Sequence, residues 1–159
     1  MPTKPGVIFE VRLDNGTKGY FQFVTLDITQ LNSEVIRIFS RRYAAGEQPG
    51  AEVIVDDTVQ LYAHLTINIG LKREYWKRYG YRPVEDTFVR PWFRTSQDYG
   101  NPAIKVSRRW WIWELGEDQQ YVGELNARQT QFDIGVVYAA KEIPEIMLTG
   151  KSSYFYPSY

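Results

Sequence analysis

VQLYAHLTINI, the stretch at residues 59–69, alternates apolar and polar side chains along its whole length. Successive side chains of a strand point to opposite faces of a sheet, so this period of two predicts a strand with one face on the core. His64 falls on the polar face, between Tyr62 and Thr66, and we therefore expect it to be more than a buried packing residue. The stretch predicts a domain built on half-buried β-strands.

Similar patterns flank this stretch on both sides. Residues 7–13 alternate in the same way, and the Asp14-Asn15-Gly16 sequence that follows is typical of a hairpin turn. The second arm of that hairpin, residues 20–26, is aromatic and β-branched almost throughout, which predicts burial on both faces. Further strands are predicted at residues 34–39, 87–94, 106–115, 120–125, 132–138 and 154–156.

Helical signals are few. The spacing of apolar residues over 71–79 fits a short amphipathic helix, and Pro144 fits the start of a single helical turn. About eight strands, with turn signals roughly every 8 to 12 residues, are typical of sandwiches and barrels. The sequence therefore predicts one domain over residues 1–159, mainly β with one or two short helices, arranged as a curled antiparallel sheet or a partly open β-barrel.

The composition limits the chemistry that the chain supports. Its 19 basic and 19 acidic residues give a formal net charge of zero, so no overall field attracts a nucleic acid. Cysteine is absent, which excludes a thiol nucleophile and a thiolate metal site, and the single histidine excludes a multi-histidine metal site. We therefore expect no nucleic-acid partner, no metal and no cofactor.

The sequence carries no recognisable signal peptide or membrane span. Residues 1–6 lack the apolar stretch of about 7 to 15 residues that a signal peptide requires. The longest apolar runs are far shorter than the roughly 18 residues needed to cross a bilayer. We therefore expect a soluble, cytoplasmic protein without a membrane partner.

Signals for catalysis are weak. His64 is the only conventional base, and the sequence has no Gly-x-Ser-x-Gly nucleophile motif. Acidic pairs occur at residues 56–57, 85–86 and 117–118, all in predicted loops, where solvated carboxylates are the norm. The sequence therefore favours a protein that is not an enzyme, and a small hydrolase that uses His64 stays a third hypothesis.

Basic and aromatic residues cluster at several places in the chain. Arginine, tryptophan and tyrosine are enriched in interface hot spots because they bury a large area and keep a polar group. Core packing is the simpler interpretation of a single tryptophan, but the three within residues 110–113 occupy both faces of one strand, and at least one is expected to be accessible. The predicted partner-binding residues are Arg41, Arg42, Tyr43, His64, Trp76, Trp110 and Trp111.

A series of segments spans most of the chain and suggests a known family. The segments are Gly6–Val11, Gly19–Phe23, Gln30–Arg37, Tyr62–His64, Gly70–Trp76 and Asp98–Gly100. Together they resemble the immunity protein 26 family, small bacterial proteins associated with polymorphic toxin systems. The resemblance implies a protein that binds a cognate toxin and blocks it without catalysis.

Functions of different classes stay open at this point. The leading hypothesis is a cofactor-free immunity protein that occludes its toxin through an aromatic and arginine-containing surface. The alternative is a carbohydrate-binding β module in which exposed tryptophan and tyrosine rings stack on sugars, and it predicts an open tryptophan platform. The zero net charge does not supply the acidic surface expected for blocking a basic nuclease, so the type of toxin is left open.

Overall fold

The computed structural model describes residues 2–159. Strands account for 37% of the residues and helices for 14%, so the predicted mainly β class with short helices is confirmed. In this part of the chain the strands are β1 (Val7–Arg12), β2 (Thr17–Asp27), β3 (Ser33–Phe39), β4 (Tyr43–Ala44), β5 (Val59–Leu65), β6 (Lys77–Tyr81), β7 (Trp92–Ser96), β8 (Trp110–Glu114), β9 (Gln120–Gly123), β10 (Asp133–Ile134) and β11 (Val137–Tyr138). The α-helices are α1 (Ala51–Val55), α2 (Ile67–Lys72) and α3 (Glu142–Thr149), and Gln129–Gln131 form a short 3-10 helix.

The strands form two open sheets. The larger sheet has the order β11-β5-β3-β2-β1-β6, with β4 paired to the start of β2, and the smaller sheet has the order β10-β7-β8-β9. Both sheets are mixed, because β11 pairs with β5 and β10 pairs with β7 in parallel while the other neighbours run antiparallel. The arrangement is therefore not a curled antiparallel sheet or a partly open barrel, since the strands divide between two sheets that each stay open.

The β1–β2 hairpin follows from its local sequence. Gly16 in the turn has a φ of 84°, a left-handed conformation that glycine adopts readily. The side chain of Asn15 accepts hydrogen bonds from the main-chain nitrogen and the hydroxyl of Thr17. β2 is buried on both faces from Lys18 to Val24, as its composition predicted, but Leu26, which was also predicted to be buried, is 54% exposed.

The larger sheet is covered on both faces. One face packs against α2 and α3, and its core includes Phe9, Phe21, Ile36, Leu65, Ile67, Trp76, Ile143 and Ile146. On the other face, Ile8 and Tyr20 pack against Ile54 of α1. Farther along that face, Val35 packs with Phe93 and Trp113 of the smaller sheet. The two sheets therefore share a core.

The chain departs from the predicted pattern after Leu65. β5 ends there and α2 follows at once, whereas the alternation predicted a strand to residue 69 and the apolar spacing predicted a helix over 71–79. Packing of Trp76 accounts for the change, because its indole lies against the helical Gly70, where an added Cβ atom would come within 1.9 Å of the ring. The chain then turns back as β6, which pairs with β1.

Three other segments differ from their predicted structure. Residues 132–138 form two short strands, β10 and β11, that join different sheets. The strand predicted over 87–94 begins only at Trp92, directly after Pro91, which has no N–H for a strand ladder. Residues 154–156 do not form the predicted terminal strand. These differences arise where pairing depends on distant parts of the chain.

The helices are short. They contain five, six and eight residues, and the helix predicted near Pro144 is confirmed as α3. α3 ends at Gly150, whose φ of 77° gives a left-handed cap. Within residues 2–159, no helix has the length and apolar character needed to span a membrane.

Candidate functional site

Several of the predicted partner-binding residues lie in the interior. Tyr43, His64, Trp76 and Trp110 have exposed fractions of 4%, 0%, 4% and 0%. The expectation that His64 is more than a buried packing residue on a polar face is therefore wrong in its exposure, and these four side chains pack into hydrophobic or mixed cores. A ring buried to this extent stabilises the fold and offers no surface to a partner.

The tryptophans of β8 show how both faces of one strand are covered. Trp113 faces the larger sheet, and its ring centroid lies 5.5 Å from that of Phe93. Trp110 lies 5.6 Å from the ring of Tyr156, in the C-terminal segment that covers the other face. Trp111 is half-buried. The segment that follows α3 thus supplies the second cover that a two-sided tryptophan strand needs.

The two predicted arginines differ in how their donors are used. Arg41 is exposed, and its guanidinium stacks on the ring of Tyr43 at 4.6 Å. Arg42 is half-buried and donates to the main-chain oxygen of Phe39 over 2.6 Å and to that of Met147 over 3.0 Å. Arg42 therefore fastens α3 to the larger sheet, and only Arg41 extends freely into solvent.

The seven predicted residues do not form one surface. Arg41 lies beside β4 at one side of the larger sheet, whereas Trp111 lies on β8 of the smaller sheet. These two are the most accessible charged and aromatic members of the set, and they belong to different sheets. A single binding site built from all seven is not present in this structure.

His64 lies inside the protein and not on an open polar face. The smaller sheet covers that face, so the His64 ring centroid lies 4.4 Å from that of Phe93. Burial lowers the pKa of His64, which favours the neutral ring, and Nε2 donates to Oδ2 of Asp27 over 2.8 Å. Nδ1 has no protein partner. A base that is fully enclosed does not meet a substrate without a change of structure.

Asp27, at the end of β2, is the partner that explains the position of His64. Its Oδ2 also accepts from Nε1 of Trp113 over 3.2 Å. Its Oδ1 accepts from the main-chain nitrogen of Gln30 over 3.0 Å and from the hydroxyl of Thr29 over 3.2 Å. Donors from the core and from the β2–β3 loop therefore satisfy one buried carboxylate. Asp27 ties that loop to the interior.

We call residues 26–32, which comprise the end of β2 and the connection to β3, the anchored loop. It exposes three large apolar side chains, Leu26, Ile28 and Leu31, with exposed fractions of 54%, 76% and 38%. Leu31 and Asn32 have positive φ angles of 58° and 42°, and such a conformation costs roughly 1 kcal/mol or more for a residue with a side chain. The buried carboxylate of Asp27 fixes the part of the loop before them, at Thr29 and Gln30.

The anchored loop lies beside the turn between β8 and β9. The hydroxyl of Thr29 is 3.4 Å from the main-chain oxygen of Glu117, and Arg90 pairs with the carboxylates of Glu117 at 3.1 Å and Glu114 at 3.4 Å. Val89, next to Arg90, is 81% exposed. We call the anchored loop together with Val89, Arg90, Glu114 and Glu117 the docking end. It combines exposed apolar groups with a charged rim.

Sequence reasoning did not select the anchored loop. A signal was present, because Ile28 and Leu31 are large apolar residues inside a connection between two strands. Asp27 followed by Thr29 is also a pattern that closes a local turn through side-chain hydrogen bonds. Neither signal shows from the sequence alone that the aspartate is buried against a histidine and a tryptophan.

Residues 2–159 contain no candidate metal site. No three histidine, aspartate or glutamate side chains gather there in a way that suits a metal ion. The buried Asp27–His64 pair is enclosed by tryptophan and phenylalanine, and the Asp27 carboxylate accepts hydrogen bonds from donors within the protein.

Comparisons with protein-family models, with curated proteins and with solved structures find no match for this chain. The resemblance to the immunity protein 26 family therefore stays a prediction.

Proposed function

We propose that the protein is an immunity protein that binds a cognate bacterial toxin and blocks it by occlusion, with the docking end as its contact surface. The observation that supports this most is the anchored loop, which holds Leu26, Ile28 and Leu31 in water. Single exposed apolar residues are ordinary on protein surfaces. Three on one short, strained and internally tethered loop are typical of a binding element.

The tether under the loop favours tight binding. Fixing one flexible residue costs roughly 1 to 2 kcal/mol of backbone entropy, and the hydrogen bonds to Asp27 fix this loop before any partner arrives. Full burial of one leucine or isoleucine side chain contributes roughly 1.5 to 3 kcal/mol. The apolar centre and the rim formed by Arg90, Glu114 and Glu117 also match the usual anatomy of protein interfaces.

Sequestration fits the chemistry of the rest of the molecule. Occlusion needs no catalytic group, and the single histidine is enclosed in the core. A chain with a formal net charge of zero has no strong field to steer it, so we propose that shape and apolar contact select the toxin. We propose further that the protein acts in the cytoplasm, without a cofactor.

The experiment that tests this function compares Ile28→Asp with Val53→Asp. Both residues are exposed and apolar, but Val53 lies on α1, away from the β2–β3 loop. Each variant is co-expressed with toxin domains encoded beside the gene for this protein, and growth and complex formation are measured. We expect the wild type and Val53→Asp to bind one toxin and restore growth, while Ile28→Asp binds at least about 30-fold more weakly, as for loss of a hot spot.

Other results would favour other interpretations. Equal protection by both variants would move the contact surface away from the docking end, and Arg41 and Trp111 would be tested next. If no toxin binds and sugars change the tryptophan fluorescence, the protein is a carbohydrate-binding module, for which Trp92 and Trp111 are the half-buried rings. A substrate turnover abolished by His64→Gln would instead indicate a hydrolase.

A further inference from the structure

A cleft lies where the two sheets meet beneath the C-terminal segment. Its volume is about 610 Å³, and its walls include Tyr62 of β5, Arg94 of β7, Asp133 of β10, Tyr138 of β11 and residues 150–159. Sites for small ligands have volumes of roughly 300 to 1,000 Å³ and are lined by aromatic groups with a few polar ones. This inter-sheet cleft has the size and lining of such a site.

Arg94 places its positively charged guanidinium in the cleft, and few of its N–H donors form hydrogen bonds with the protein. Its guanidinium carbon lies 5.0, 5.8 and 5.3 Å from the ring centroids of Trp110, Tyr156 and Tyr159. Nε donates to the main-chain oxygen of Phe132 over 3.0 Å, but Nη1 is buried with no protein acceptor. Burial lowers the pKa of Arg94, and in the described part of the chain no carboxylate forms an ion pair with it.

Arg42 shows by contrast how a half-buried arginine of this protein is satisfied. Its Nε, Nη1 and Nη2 atoms all donate to protein oxygens, among them that of Met147. The guanidinium of Arg94 has a similar degree of enclosure and lacks such acceptors. A guanidinium that keeps a buried N–H donor without an acceptor is costly, so its presence in a cleft points to a ligand.

The other charged side chains of the cleft balance the positive charge of Arg94 only in part. The charged side chains on its walls are Arg94, Lys151 and Asp133. Oδ2 of Asp133 accepts from the main-chain nitrogen of Tyr62 over 2.9 Å, and burial raises the pKa of the carboxyl to about 6. One carboxylate, charged above about pH 6, therefore faces two basic side chains, and the lining favours an anion of low charge.

We infer that the inter-sheet cleft binds a carboxylate-bearing ligand with a flat apolar body, and that Arg94 pairs with the carboxylate. The planar fork of a guanidinium matches a carboxylate with two parallel hydrogen bonds. The tyrosine and phenylalanine rings of the lining suit a flat apolar body. A phosphate would set up to two negative charges beside Asp133, which makes a carboxylate the better fit. This site is distinct from the docking end and does not depend on toxin binding.

Phenylacetate and its neutral analogue phenylacetamide are the probes that test this site. The resonances of the Trp110 indole N–H and the Arg94 Nε–H are followed in two-dimensional NMR spectra of the full chain during titration. We expect phenylacetate to shift both resonances in a saturable way. We expect phenylacetamide to bind at least about tenfold more weakly, because it cannot form the charged hydrogen bonds to Arg94.

Three variants separate binding from folding. Arg94→Met is expected to weaken phenylacetate binding at least about tenfold. Arg128→Met is the matched control, because Arg128 stacks on Phe132 at 5.4 Å but is exposed and does not line the cleft. Asp133→Asn removes a competing negative charge and is expected to tighten binding above the pKa of Asp133. An increase in affinity is not a result that partial unfolding produces.

The source of the carboxylate is distinguished by a peptide. The tripeptide Gly-Gly-Phe binds more tightly than phenylacetate if the natural ligand is a chain terminus, and its C-terminal amide then fails to bind. Phenylacetate binds as tightly as the tripeptide if the natural ligand is a small organic acid. The inference is overturned if phenylacetate and phenylacetamide bind equally well, or if Arg94→Met binds phenylacetate as tightly as the wild type. It is also overturned if phenylacetate causes no saturable shift up to its solubility limit, or if phenyl glucoside binds independently of Arg94.

Discussion

Arg37 on β3 and Arg94 on β7 are both enclosed arginines, but their surroundings differ. Nε of Arg37 donates to Oε1 of Gln22 over 2.9 Å, and Nη1 and Nη2 donate to the carboxylate of Glu85 over 2.8 Å each. For Arg94, residues 2–159 supply one hydrogen-bond acceptor, the main-chain oxygen of Phe132. The N–H donors of Arg37 are therefore used in hydrogen bonds within the protein, whereas Arg94 keeps N–H donors that have no protein acceptor.

The difference separates a structural group from a functional one. Gln22 continues the Arg37 network by donating to the main-chain oxygens of Gly6 and Arg82, so the network holds the chain after β6 against the larger sheet. When every member of a buried polar network has a partner, removal of one member leaves others unpaired and destabilises the fold. A guanidinium with unused donors adds little to stability, and its position in a cleft suggests binding.

Arg37→Met is expected to have the largest effect on stability. It leaves Gln22 without a donor and Glu85 without its cation, so the free energy of unfolding should fall by about 3 kcal/mol. Urea unfolding followed by tryptophan fluorescence measures the change. Arg90→Met is the control, since Arg90 is an exposed arginine with two carboxylate partners, and a surface pair of this kind contributes about 1 kcal/mol or less.

A loss after Arg37→Met that is no larger than the loss after Arg90→Met would contradict this interpretation. It would mean that the Gln22–Arg37–Glu85 network contributes no more than an exposed ion pair. The saturation of its donors would then be no guide to structural importance.

Asp133→Asn is expected to have the next largest effect, with the opposite sign. Burial raises the pKa of Asp133 from 3.8 to about 6, so its stabilising contribution is complete below about pH 4 and is lost as the pH rises through 6. One pKa unit corresponds to about 1.4 kcal/mol, so the rise from 3.8 to about 6 makes the variant more stable than the wild type by up to about 3 kcal/mol well above pH 6. Unfolding by urea across this range gives the two profiles.

The control for that comparison is the region below about pH 4, where the carboxyl of Asp133 is protonated and an amide resembles it. We expect the wild type and Asp133→Asn to have similar stability there. A constant difference between the two proteins at all pH values would show that Asp133 does not titrate in this window, and the cleft would lose one of its charges.

Arg94→Met is expected to change stability by about 1 kcal/mol or less, because the desolvation of the cation offsets its stacking on Trp110, Tyr156 and Tyr159. The same urea experiment measures it alongside Arg37→Met. A loss as large as that of Arg37→Met would show that the aromatic cage is a structural unit, and the contrast between the two arginines would fail.

Local sequence accounts for the parts of this fold that form from neighbouring residues. Alternation and the Asn15-Gly16 turn predicted the β1–β2 hairpin, and Pro144 marked α3, because these elements depend on residues close in the chain. The division of the strands into two sheets was not predictable in this way. It depends on parallel pairings such as that of β11 with β5, which join distant segments.

The candidate sites were harder to predict for the same physical reason. Asp27 bonds to Trp113, 86 residues away, and Asp133 accepts from Tyr62, 71 residues away. Periodicity assigned His64 to a polar face, but it gives no sign that a second sheet covers that face. Residue type pointed to the tryptophans of β8, and their packing against Phe93 and the C-terminal segment placed two of them in the interior.

Glu85→Gln is expected to have the smallest effect on stability, and it tests the ion pair between Arg37 and Glu85. The hydrogen bonds from Arg37 are the main cause that lowers the pKa of Glu85 from 4.5 to about 2. This contribution to stability is present above about pH 4.5 and is lost as the pH falls toward 2. Because 48% of the Glu85 side chain is exposed, water screens the pair, and the loss should be about 1 kcal/mol or less.

At low pH, the change in the free energy of unfolding reports the contribution of Glu85 separately from that of Asp133. Between pH 4.5 and 2 the wild type should lose stability more steeply than Glu85→Gln, while both proteins keep the opposite slope that Asp133 imposes at higher pH. If the two acid limbs coincide, the Arg37–Glu85 pair contributes nothing in solution. Arg37 would then owe its importance to Gln22 alone, and the contrast with Arg94 would rest on one buried hydrogen bond.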